Sequence, residues 1–253
     1  MEPEFVTGEP ALLINSNGNR ALIVSDLHIG IEYEYYLRGM RIPSQTKSMV
    51  NRLDTLIEST KADRLVIIGD IKHRVPGISK QELREIPEFF RHFVQKVKVD
   101  FVPGNHDGGL KDYIPKAVKI HKSSGFKIGD IFLLHGHSWP AESFAKAMFV
   151  VTGHNHPQIE FRNKLGYRWS EPVWLRAKLN KKVRDRYKKD QLPELINMPC
   201  FNKFAGGMAL NKKGSVNGGE RRGFLGPLIK NIKRNKARIY MVDGVFLGEL
   251  GKL

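Results

Sequence analysis

The sequence predicts a layered α/β fold, and three features lead to this prediction. Short apolar runs rich in β-branched residues recur through residues 1–160. Residues with helical periodicity separate some of these runs, and five clusters of Asp, His and Asn each follow one of them. Strands that alternate with helices form layers of sheet and helix, and the sites of such proteins lie at strand ends.

The strands are predicted from apolar runs that are bounded by polar or turn residues. In the first part of the chain they cover residues 11–14, 21–24, 64–68, 97–102, 131–134 and 149–152. Two further strand-like runs cover residues 158–162 and 167–179. Near the C-terminus, Asp243-Gly244 lies between two apolar runs, which predicts a hairpin over residues 237–250.

Two helices are predicted between the early strands. Apolar residues recur at helical spacing over 49–57, and Ser44 is the predicted N-cap of this helix. Ser79 and Glu82 form a capping-box pattern at the start of the second helix. Pro87 lies inside that second stretch, so it is expected either to kink the helix or to mark its true start.

Length and composition indicate a globular protein. With 253 residues, of which 41% are hydrophobic, the chain can bury a large core, which excludes a disordered or fibrous protein. We predict one domain over 1–253, with a motif-bearing core at 1–161, a basic segment at 162–238 and a closing strand hairpin at 239–253. The single cysteine, Cys200, excludes an intrachain disulfide and is expected to be a small buried packing residue. Neither a signal-peptide pattern nor a run of roughly 20 apolar residues is present, so a cytoplasmic protein without membrane contact is expected.

The positive charge of the chain is concentrated in the basic segment. Of the net charge of +16, residues 162–189 carry +9, residues 203–238 carry +9 and residues 190–202 carry −2, so the rest of the chain is neutral. A concentrated positive field favours nucleic acid as a partner, because phosphates that are neutralised release their condensed counterions. A solvated lysine-rich surface is the alternative. Within this segment, the glycine and lysine residues of 204–226 predict a mobile loop.

The five polar clusters contain the residues able to carry out chemistry. They read D-x-H, G-D, G-N-H-D, H-G-H and G-H-x-H in chain order. Mixed carboxylate, imidazole and amide ligands suit Mn²⁺, Fe²⁺, Zn²⁺ or Mg²⁺ rather than metals that prefer thiolates. Seven candidate ligands are more than a single tetrahedral site uses, so two ions about 3.5–4 Å apart are expected. These candidates are Asp26, His28, Asp70, Asn105, His135, His154 and His156.

In their order, the five motifs resemble those of the calcineurin-like metallophosphoesterases. The segments W-P at 139–140, H-N-H-P at 154–157, E-P-V-W-L at 171–175 and M-P-C-F-N at 198–202 are similar to a prokaryotic, largely archaeal branch. That branch is related to repair-nuclease catalytic subunits and to DNA ligase-associated phosphoesterases. The resemblance implies a four-layer α/β/β/α sandwich, in which two sheets are flanked by helices.

The resemblance also implies a role for each candidate ligand. One metal would be held by Asp26, His28 and His156, and the other by Asn105, His135 and His154. Asp70 would bridge the two ions. Mn²⁺ is the expected metal, with Fe, Zn, Ni and Mg as alternatives.

Further residues receive roles in catalysis and substrate binding. The resemblance implies that His106 protonates the leaving oxygen and that Asp107 orients its imidazole. His73 and Arg74 follow Asp70 and are candidates for contacting substrate phosphate, with an exposed turn as the alternative. His137 is expected to face the substrate or to support the ligands rather than to bind a metal.

Three functions follow from these observations. The leading one is a two-metal-dependent phosphodiesterase, in which a metal-activated water attacks nucleic acid or nucleotide substrates, with residues 162–238 as the surface for the nucleic-acid backbone. A phosphomonoesterase or cyclic-nucleotide phosphodiesterase with a small substrate is the second. A nucleic-acid-binding accessory protein is disfavoured, because no ligand position is missing. Trp139, Trp169 and Trp174 could stack on bases, although packing is the favoured interpretation.

Overall fold

The computed structural model describes residues 2–16, 18–212 and 224–253. Over these residues, two β-sheets pack face to face and helices cover their outer faces. The layer order α/β/β/α confirms the fold class expected from the sequence.

The N-terminal part of the chain forms the first sheet. In spatial order its strands are β1 (Glu4–Phe5), β2 (Leu12–Ser16), β3 (Asn19–Val24), β4 (Arg64–Ile68), β5 (Lys98–Val102) and β6 (Lys119–Ile120). From β3 to β6 the strands run parallel, whereas β1 and β2 add antiparallel pairs at one side. The carboxyl ends of β3, β4 and β5 therefore open on one edge of the sheet.

The second sheet is mixed. Its strands in chain order are β7 (Phe126–Ile128), β8 (Ile131–Leu133), β9 (Phe149–Thr152), β10 (Pro157–Arg162), β11 (Arg168–Lys178), β12 (Glu194–Asn197), β13 (Met208–Ala209), β14 (Arg238–Met241) and β15 (Phe246–Glu249). Strand β9 lies between β8 and β12 and is parallel to both. The carboxyl ends of β8 and β9 thus lie side by side, as do those of β3 and β4 in the first sheet.

The sequence located the two long helices correctly and missed the two short ones, α1 and α4. The helices are α1 (Glu32–Leu37), α2 (Thr46–Thr60), α3 (Lys80–Val94) and α4 (Lys181–Tyr187). Helix α2 is bounded by Gln45, whose backbone is already helical and whose side chain makes no cap bond. The capping bond comes from Ser44, as the sequence predicted: its hydroxyl oxygen accepts from the Thr46 backbone N–H at 3.3 Å, and the hydroxyl donates to Glu85 at 2.8 Å. The capping box of Ser79 and Glu82 is confirmed. Helix α3 runs from Lys80 through Pro87, so the proline does not mark its start.

Helix α4 lies in a basic stretch where the sequence indicated no regular element. Its N-cap is Asn180, whose side chain accepts a hydrogen bond from the Lys182 backbone at 3.0 Å. Val183 is its buried residue. A helix that buries a single side chain shows no apolar periodicity, which explains why the pattern did not reveal it.

Alternation of side chains along the strands connects the layers. In β3, Leu22 packs toward α2 and α3, whereas Ile23 packs between the sheets. Trp174 of β11 also lies between the sheets, fully buried, and stacks on Phe5 with ring centroids 4.4 Å apart. The packing interpretation of this tryptophan is therefore correct.

The C-terminal part closes the second sheet. The predicted hairpin is confirmed by β14 and β15, with Gly244 at a positive φ of 96° in the turn. Part of the mobile loop predicted at 204–226 falls on 213–223, which lie outside the described residues. On either side of them, Leu210 and Phe224 are buried against the second sheet.

Candidate metal centre

Each of the five motifs follows a strand whose carboxyl end opens on the same side of the sandwich. Asp26 and His28 follow β3, Asp70 follows β4, and Asn105 follows β5. From the second sheet, His135 follows β8, while His154 and His156 follow β9. Because the sheets pack face to face, the parallel strands of both deliver these side chains to one place, as the sequence predicted.

One group of donor atoms forms around Asp26 and His28. His156 Nε2 lies 3.2 Å from Asp26 Oδ1 and 3.2 Å from His28 Nε2. Donor atoms of Asp26, His28 and Asp70 all lie within 4.8 Å of one another, close enough to bind a single metal ion.

A second group forms around His135. Its Nε2 lies 3.1 Å from Asn105 Oδ1 and 3.3 Å from Asp70 Oδ2. Donor atoms of Asp70, His135 and His154 also lie within 4.8 Å of one another. Asp70 thus contributes donor atoms to both of these groups.

The electrostatics of the centre favour ionised carboxylates. Burial raises the pKa of Asp26, but the charges of His156 and His135 outweigh it and lower that pKa to about 2. Burial likewise opposes ionisation of Asp70, whose pKa is lowered by His135 and by neighbouring histidines. The pKa of His135 rises to about 9, because Asp70 and Asp26 outweigh the effect of its burial. A carboxylate–imidazole–amide donor set of this kind fits divalent metal ions.

Left-handed backbone conformation is concentrated at the centre. Five of the candidate ligands have positive φ, namely Asp26 (60°), His28 (44°), Asp70 (49°), His154 (72°) and His156 (41°). Elsewhere in the described residues, the non-glycine positions with positive φ are Lys61 and Lys188, which are helix C-caps. Strained conformations of this kind persist where the surrounding structure enforces them, and they cluster at functional sites.

Two motif glycines provide the space that the ligands occupy. A Cβ on Gly104 would lie 2.1 Å from Asp70 Oδ1, and a Cβ on Gly153 would lie 1.7 Å from Ser25 Oγ and 2.4 Å from Asp26 Oδ2. Neither glycine has a left-handed φ, so close approach alone requires glycine here.

His106 lies beside the centre, but its partner differs from the sequence expectation. Its Nε2 is 3.8 Å from Asp70 Oδ2, and its Nδ1 is 2.6 Å from the carbonyl oxygen of His73. Among the described residues, Asp107 makes no hydrogen bond to this imidazole. The Asp107 carboxylate is buried and accepts from the backbone N–H groups of Asp70 at 2.8 Å and Gly104 at 2.7 Å. The orienting role expected of Asp107 was therefore wrong, and Asp107 instead ties together the turns that carry Asp70 and His106.

Of the substrate-binding candidates, His73 lines a cavity and Arg74 does not. A cavity of about 370 Å³ opens over His28, His73, His106 and His156. Arg74 is exposed and lies over the ring of Tyr33, at 5.6 Å from its centroid, which agrees with the exposed-turn alternative.

His137 lies behind the second donor group. Its ring centroid is 5.3 Å from that of His135, and it belongs to none of the metal-competent groups found in the described part of the chain. Its buried Nδ1 has no hydrogen-bond partner there. Burial lowers the pKa of His137 to about 4, which favours a neutral imidazole.

A sequence model of the family described as calcineurin-like phosphoesterase matches residues 20–192, a span that contains all five motifs. The chain belongs to this family. It is therefore a metal-dependent phosphoesterase, a hydrolase that uses divalent metal ions. A comparison with curated protein sequences found no match to this chain.

Two solved structures are similar to this calcineurin-like phosphoesterase. The nuclease MPE of Pseudomonas putida shares 19% identity at a TM-score of 0.53, and the match covers 94% of this chain and 100% of that one. The phosphoesterase YfcE of E. coli shares 19% identity at a TM-score of 0.36, over 56% of this chain and 73% of that one. The first likeness supports the fold.

Two residues that support the centre were missed or misjudged from the sequence. The Cys200 thiol donates to the Asp26 carbonyl with Sγ at 2.9 Å, and Asn202 Nδ2 donates to the Leu27 carbonyl at 2.8 Å. Both come from the M-P-C-F-N segment, whose resemblance to relatives was the one signal of their importance. Cys200 was expected to be a packing residue, yet it holds the turn that carries Asp26.

Helix α1 adds side chains to the cavity that no motif indicated. Glu34 accepts a hydrogen bond from His73 Nε2 at 2.6 Å and forms an ion pair with Arg38. Hydrogen bonding to His73 lowers the pKa of Glu34. His73 Nδ1 in turn lies 3.3 Å from His28 Nδ1, so the Glu34–His73 pair contacts a candidate ligand. An i,i+4 pair of opposite charges is common on helices and carries no functional signal in a sequence.

In the part of the chain that the structure describes, no helix is both long enough and apolar enough to cross a bilayer.

Proposed function

We propose that the protein is a two-metal-dependent phosphodiesterase that acts on nucleic acid or nucleotide substrates. The observation that carries the two-metal part is the position of Asp70 in both donor groups. One ion would be held by Asp26, His28 and His156, and the other by Asn105, His135 and His154, with Asp70 shared. When bound, such a pair activates a water molecule and neutralises charge on the phosphoryl oxygens. Mn²⁺ is the proposed metal, with Fe, Zn, Ni and Mg as alternatives.

His106 is the proposed acid for the leaving oxygen. A carbonyl oxygen can only accept, so the short contact of Nδ1 with the His73 carbonyl means that Nδ1 carries a proton. The acid form is therefore the imidazolium, in which Nε2, 3.8 Å from Asp70 Oδ2, carries the second proton and can transfer it to the leaving oxygen of the substrate. The backbone N–H of His106 also donates to Asp70 Oδ1 at 2.9 Å, which ties the position of the acid to that of the shared ligand.

The substrate class is proposed from the charge distribution. Six cations of the α4 region are exposed, namely Lys181, Lys182, Arg184, Arg186, Lys188 and Lys189. They belong to the segment 162–238, which contains all of the excess positive charge. A polyanionic substrate would account for this surface. The Pseudomonas putida protein is named a nuclease, but at 19% identity it supports the fold and not the substrate.

A small-substrate phosphomonoesterase or cyclic-nucleotide phosphodiesterase is the second candidate. The observation in its favour is the size of the cavity over His106, about 370 Å³, which is at the lower end of the range for small-molecule sites.

The test compares substrates and metals. Turnover of bis-p-nitrophenyl phosphate is expected to exceed that of the monoester with Mn²⁺, whereas a preference for the monoester would favour the second candidate. Asp70→Asn should abolish hydrolysis more completely than substitution of any ligand that serves one ion, because it removes the charge shared by both. If Asp70→Asn keeps more than half of the wild-type turnover in excess Mn²⁺, the two-metal assignment is wrong.

A further inference from the structure

The hairpin formed by β10 and β11 extends beyond the sheet that carries it. At its base, Pro157 and Gln158 pair with β13, and residues 173–178 of β11 pair with β12 and β14. Within the described residues, the strand pairs at 159–162 and 168–171 are made only between the two strands of the hairpin. We call residues 159–171 the hairpin arm.

Three aromatic rings line one side of the hairpin arm. Phe161 and Trp169 face each other across the strands with ring centroids 5.5 Å apart, and Tyr167 lies 6.0 Å from Trp169. Both pairs are close to parallel, with interplanar angles of 22°. Phe161 packs partly against the core, whereas Trp169 is 39% exposed and Tyr167 is 67% exposed. Two of the three rings thus keep much of their π-surface in solvent.

Positive charge lies close to these rings. Arg162 and Arg168 are exposed and pair across the strands on the face opposite Phe161 and Trp169, and Lys164 is exposed in the turn. Residues 161–169 include no acidic side chain, whereas Glu171 follows Trp169 on its own face. Glu160 comes just before Phe161. Its carboxylate oxygens lie 3.5 Å from Arg168 Nη1 and 3.4 Å from Lys212 Nζ. A cationic strip with flat aromatic faces matches a partner that combines phosphates with planar rings.

The hairpin arm is also connected directly to the metal centre. Strand β10 begins immediately after His156. At about 3.3 Å per strand residue, Phe161 lies about 16 Å along the strand from His156. A stacked nucleic-acid strand advances about 3.4 Å per nucleotide, so this distance corresponds to about five nucleotides.

We infer that the hairpin arm binds a single-stranded nucleic acid by stacking its bases on Trp169 and Tyr167, with the exposed cations beside the phosphates. The inference rests on the proposed function for the position of the cleaved phosphate in the centre. Exposed aromatic and basic residues also suit a membrane surface. The continuity of β10 with His156 favours nucleic acid, because the same partner would then reach both the arm and the centre.

The experiment measures binding and hydrolysis separately. Binding of an end-labelled, cleavage-resistant oligothymidylate of about fifteen nucleotides is followed by fluorescence anisotropy, a length within the site sizes of single-strand binders. Trp169→Ala and Tyr167→Ala are each expected to raise Kd roughly 5- to 100-fold. Phe246→Ala is the matched control, since Phe246 is 52% exposed on β15. It should leave Kd unchanged. If an alanine variant fails to fold, Trp169→Leu retains apolar bulk without the π-surface and is expected to weaken binding to the same extent.

Length dependence provides a second measurement. Oligonucleotides shorter than about five nucleotides cannot reach the arm while one of their phosphates lies in the centre, so their kcat/KM should be insensitive to Trp169→Ala. The ratio of kcat/KM for the long oligonucleotide to kcat/KM for the aryl diester should fall in the ring variants.

Three results would overturn the inference. The wild-type protein could fail to bind the oligonucleotide, or Phe246→Ala could weaken binding as much as the ring variants do. Alternatively, the rings could be needed for binding to anionic vesicles or to a second copy of the chain, and not for binding to the oligonucleotide. Failure of the inference and failure of the proposed function are distinguishable. Aryl diester turnover without oligonucleotide binding contradicts the inference alone, whereas ring-dependent binding without any turnover contradicts the proposed hydrolysis alone.

Discussion

Single residues at the centre show how much local strain the fold sustains to place its donor atoms. Each non-glycine residue in a left-handed conformation costs on the order of 1–3 kcal/mol, although Asp and His tolerate it better than β-branched residues. Asp26, Asp70 and His154 are among those that bear this cost. The surrounding bonds offset it, as when Asp107 accepts from the backbone N–H of Asp70.

His106→Ala separates proton transfer from metal binding. The variant keeps the backbone N–H that donates to Asp70, so both metals should be retained. For poor leaving groups we expect kcat to fall by about 10²- to 10⁴-fold, and for activated aryl leaving groups by less, because these need less protonation. The measurement is kcat across a leaving-group series, with the metal content of each preparation. An equal fall in kcat throughout the series would contradict the role of a general acid.

Gly104→Ala tests the space that the shared ligand occupies. The new Cβ would lie 2.1 Å from Asp70 Oδ1 and 2.5 Å from the Asp70 backbone nitrogen, so Asp70 must move. A displacement near 1 Å at a catalytic group costs about 100-fold in rate, and overpacking costs about 1–3 kcal/mol in the free energy of unfolding. Gly108→Ala is the matched control, since its Cβ would meet nothing within 4 Å. Steady-state kinetics and urea unfolding of both variants check this, and similar effects in the two would refute the close-approach argument.

At the scale of elements, the edge of the first sheet is held by one buried charge network. Arg64 of β4 donates to both carboxylate oxygens of Asp100 on β5, at 2.6 and 2.8 Å. His121, just beyond β6, contacts the same carboxylate. Asp100 therefore links β4, β5 and the end of β6, and two of these strands, β4 and β5, are followed by the candidate ligands Asp70 and Asn105.

This network predicts a defined acid sensitivity. Burial raises the pKa of Asp100, but hydrogen bonds from His121 and Arg64 outweigh it and lower the pKa to about 2. Because the folded-state pKa lies below the ordinary value of 3.8, the stabilisation is complete above about pH 4 and is lost as pH falls through about 2. A pKa shift of this size corresponds to about 2 kcal/mol in the free energy of unfolding.

Asp100→Asn should accordingly lower the free energy of unfolding at neutral pH. Below pH 4 the difference in free energy of unfolding between the variant and the wild type should become smaller. Denaturant unfolding across the pH range measures this difference, with the exposed Asp112→Asn as the control that should track the wild type. A gap that stays constant down to pH 2 would show that Asp100 does not contribute in this way.

At the scale of the whole molecule, charge is segregated from the motif-bearing core. We expect replacement of the six exposed cations of the α4 region by Gln, which preserves helix propensity, to weaken nucleic-acid binding. The slope of log affinity against log salt should become shallower by about 0.7–0.9 for each phosphate that the protein no longer neutralises. Binding across a salt series gives this slope directly.

The matched control replaces six exposed cations of the motif-bearing core, namely Arg41, Lys47, Lys80, Lys111, Lys116 and Lys119. Its slope of log affinity against log salt should equal that of the wild type. If the two sets change the slope equally, the basic segment has no special part in binding.

The sequence by itself was sufficient for the fold class and for the strand ends that carry the motifs. Apolar alternation and strand-end motifs are local properties, so β3, β4 and β9 and the turns that follow them could be located without coordinates. Asp70 and His135, 65 residues apart in the chain and carried by different sheets, could be expected close together only because the resemblance to a family placed both in one metal centre. Resemblance to a family then supplied the roles.

Only the tertiary structure decided the partners of individual side chains. Asp107 adjoins His106 in sequence yet bonds to the backbone of Asp70, and Glu34 reaches His73 from a helix that carries no motif. Whether a tryptophan is core or surface was likewise undecided until Trp174 was found between the sheets and Trp169 on the hairpin arm. The physical reason is the same in each case. The direction of a side chain and the neighbours that it meets depend on packing between segments distant in the chain, and local patterns do not record that packing.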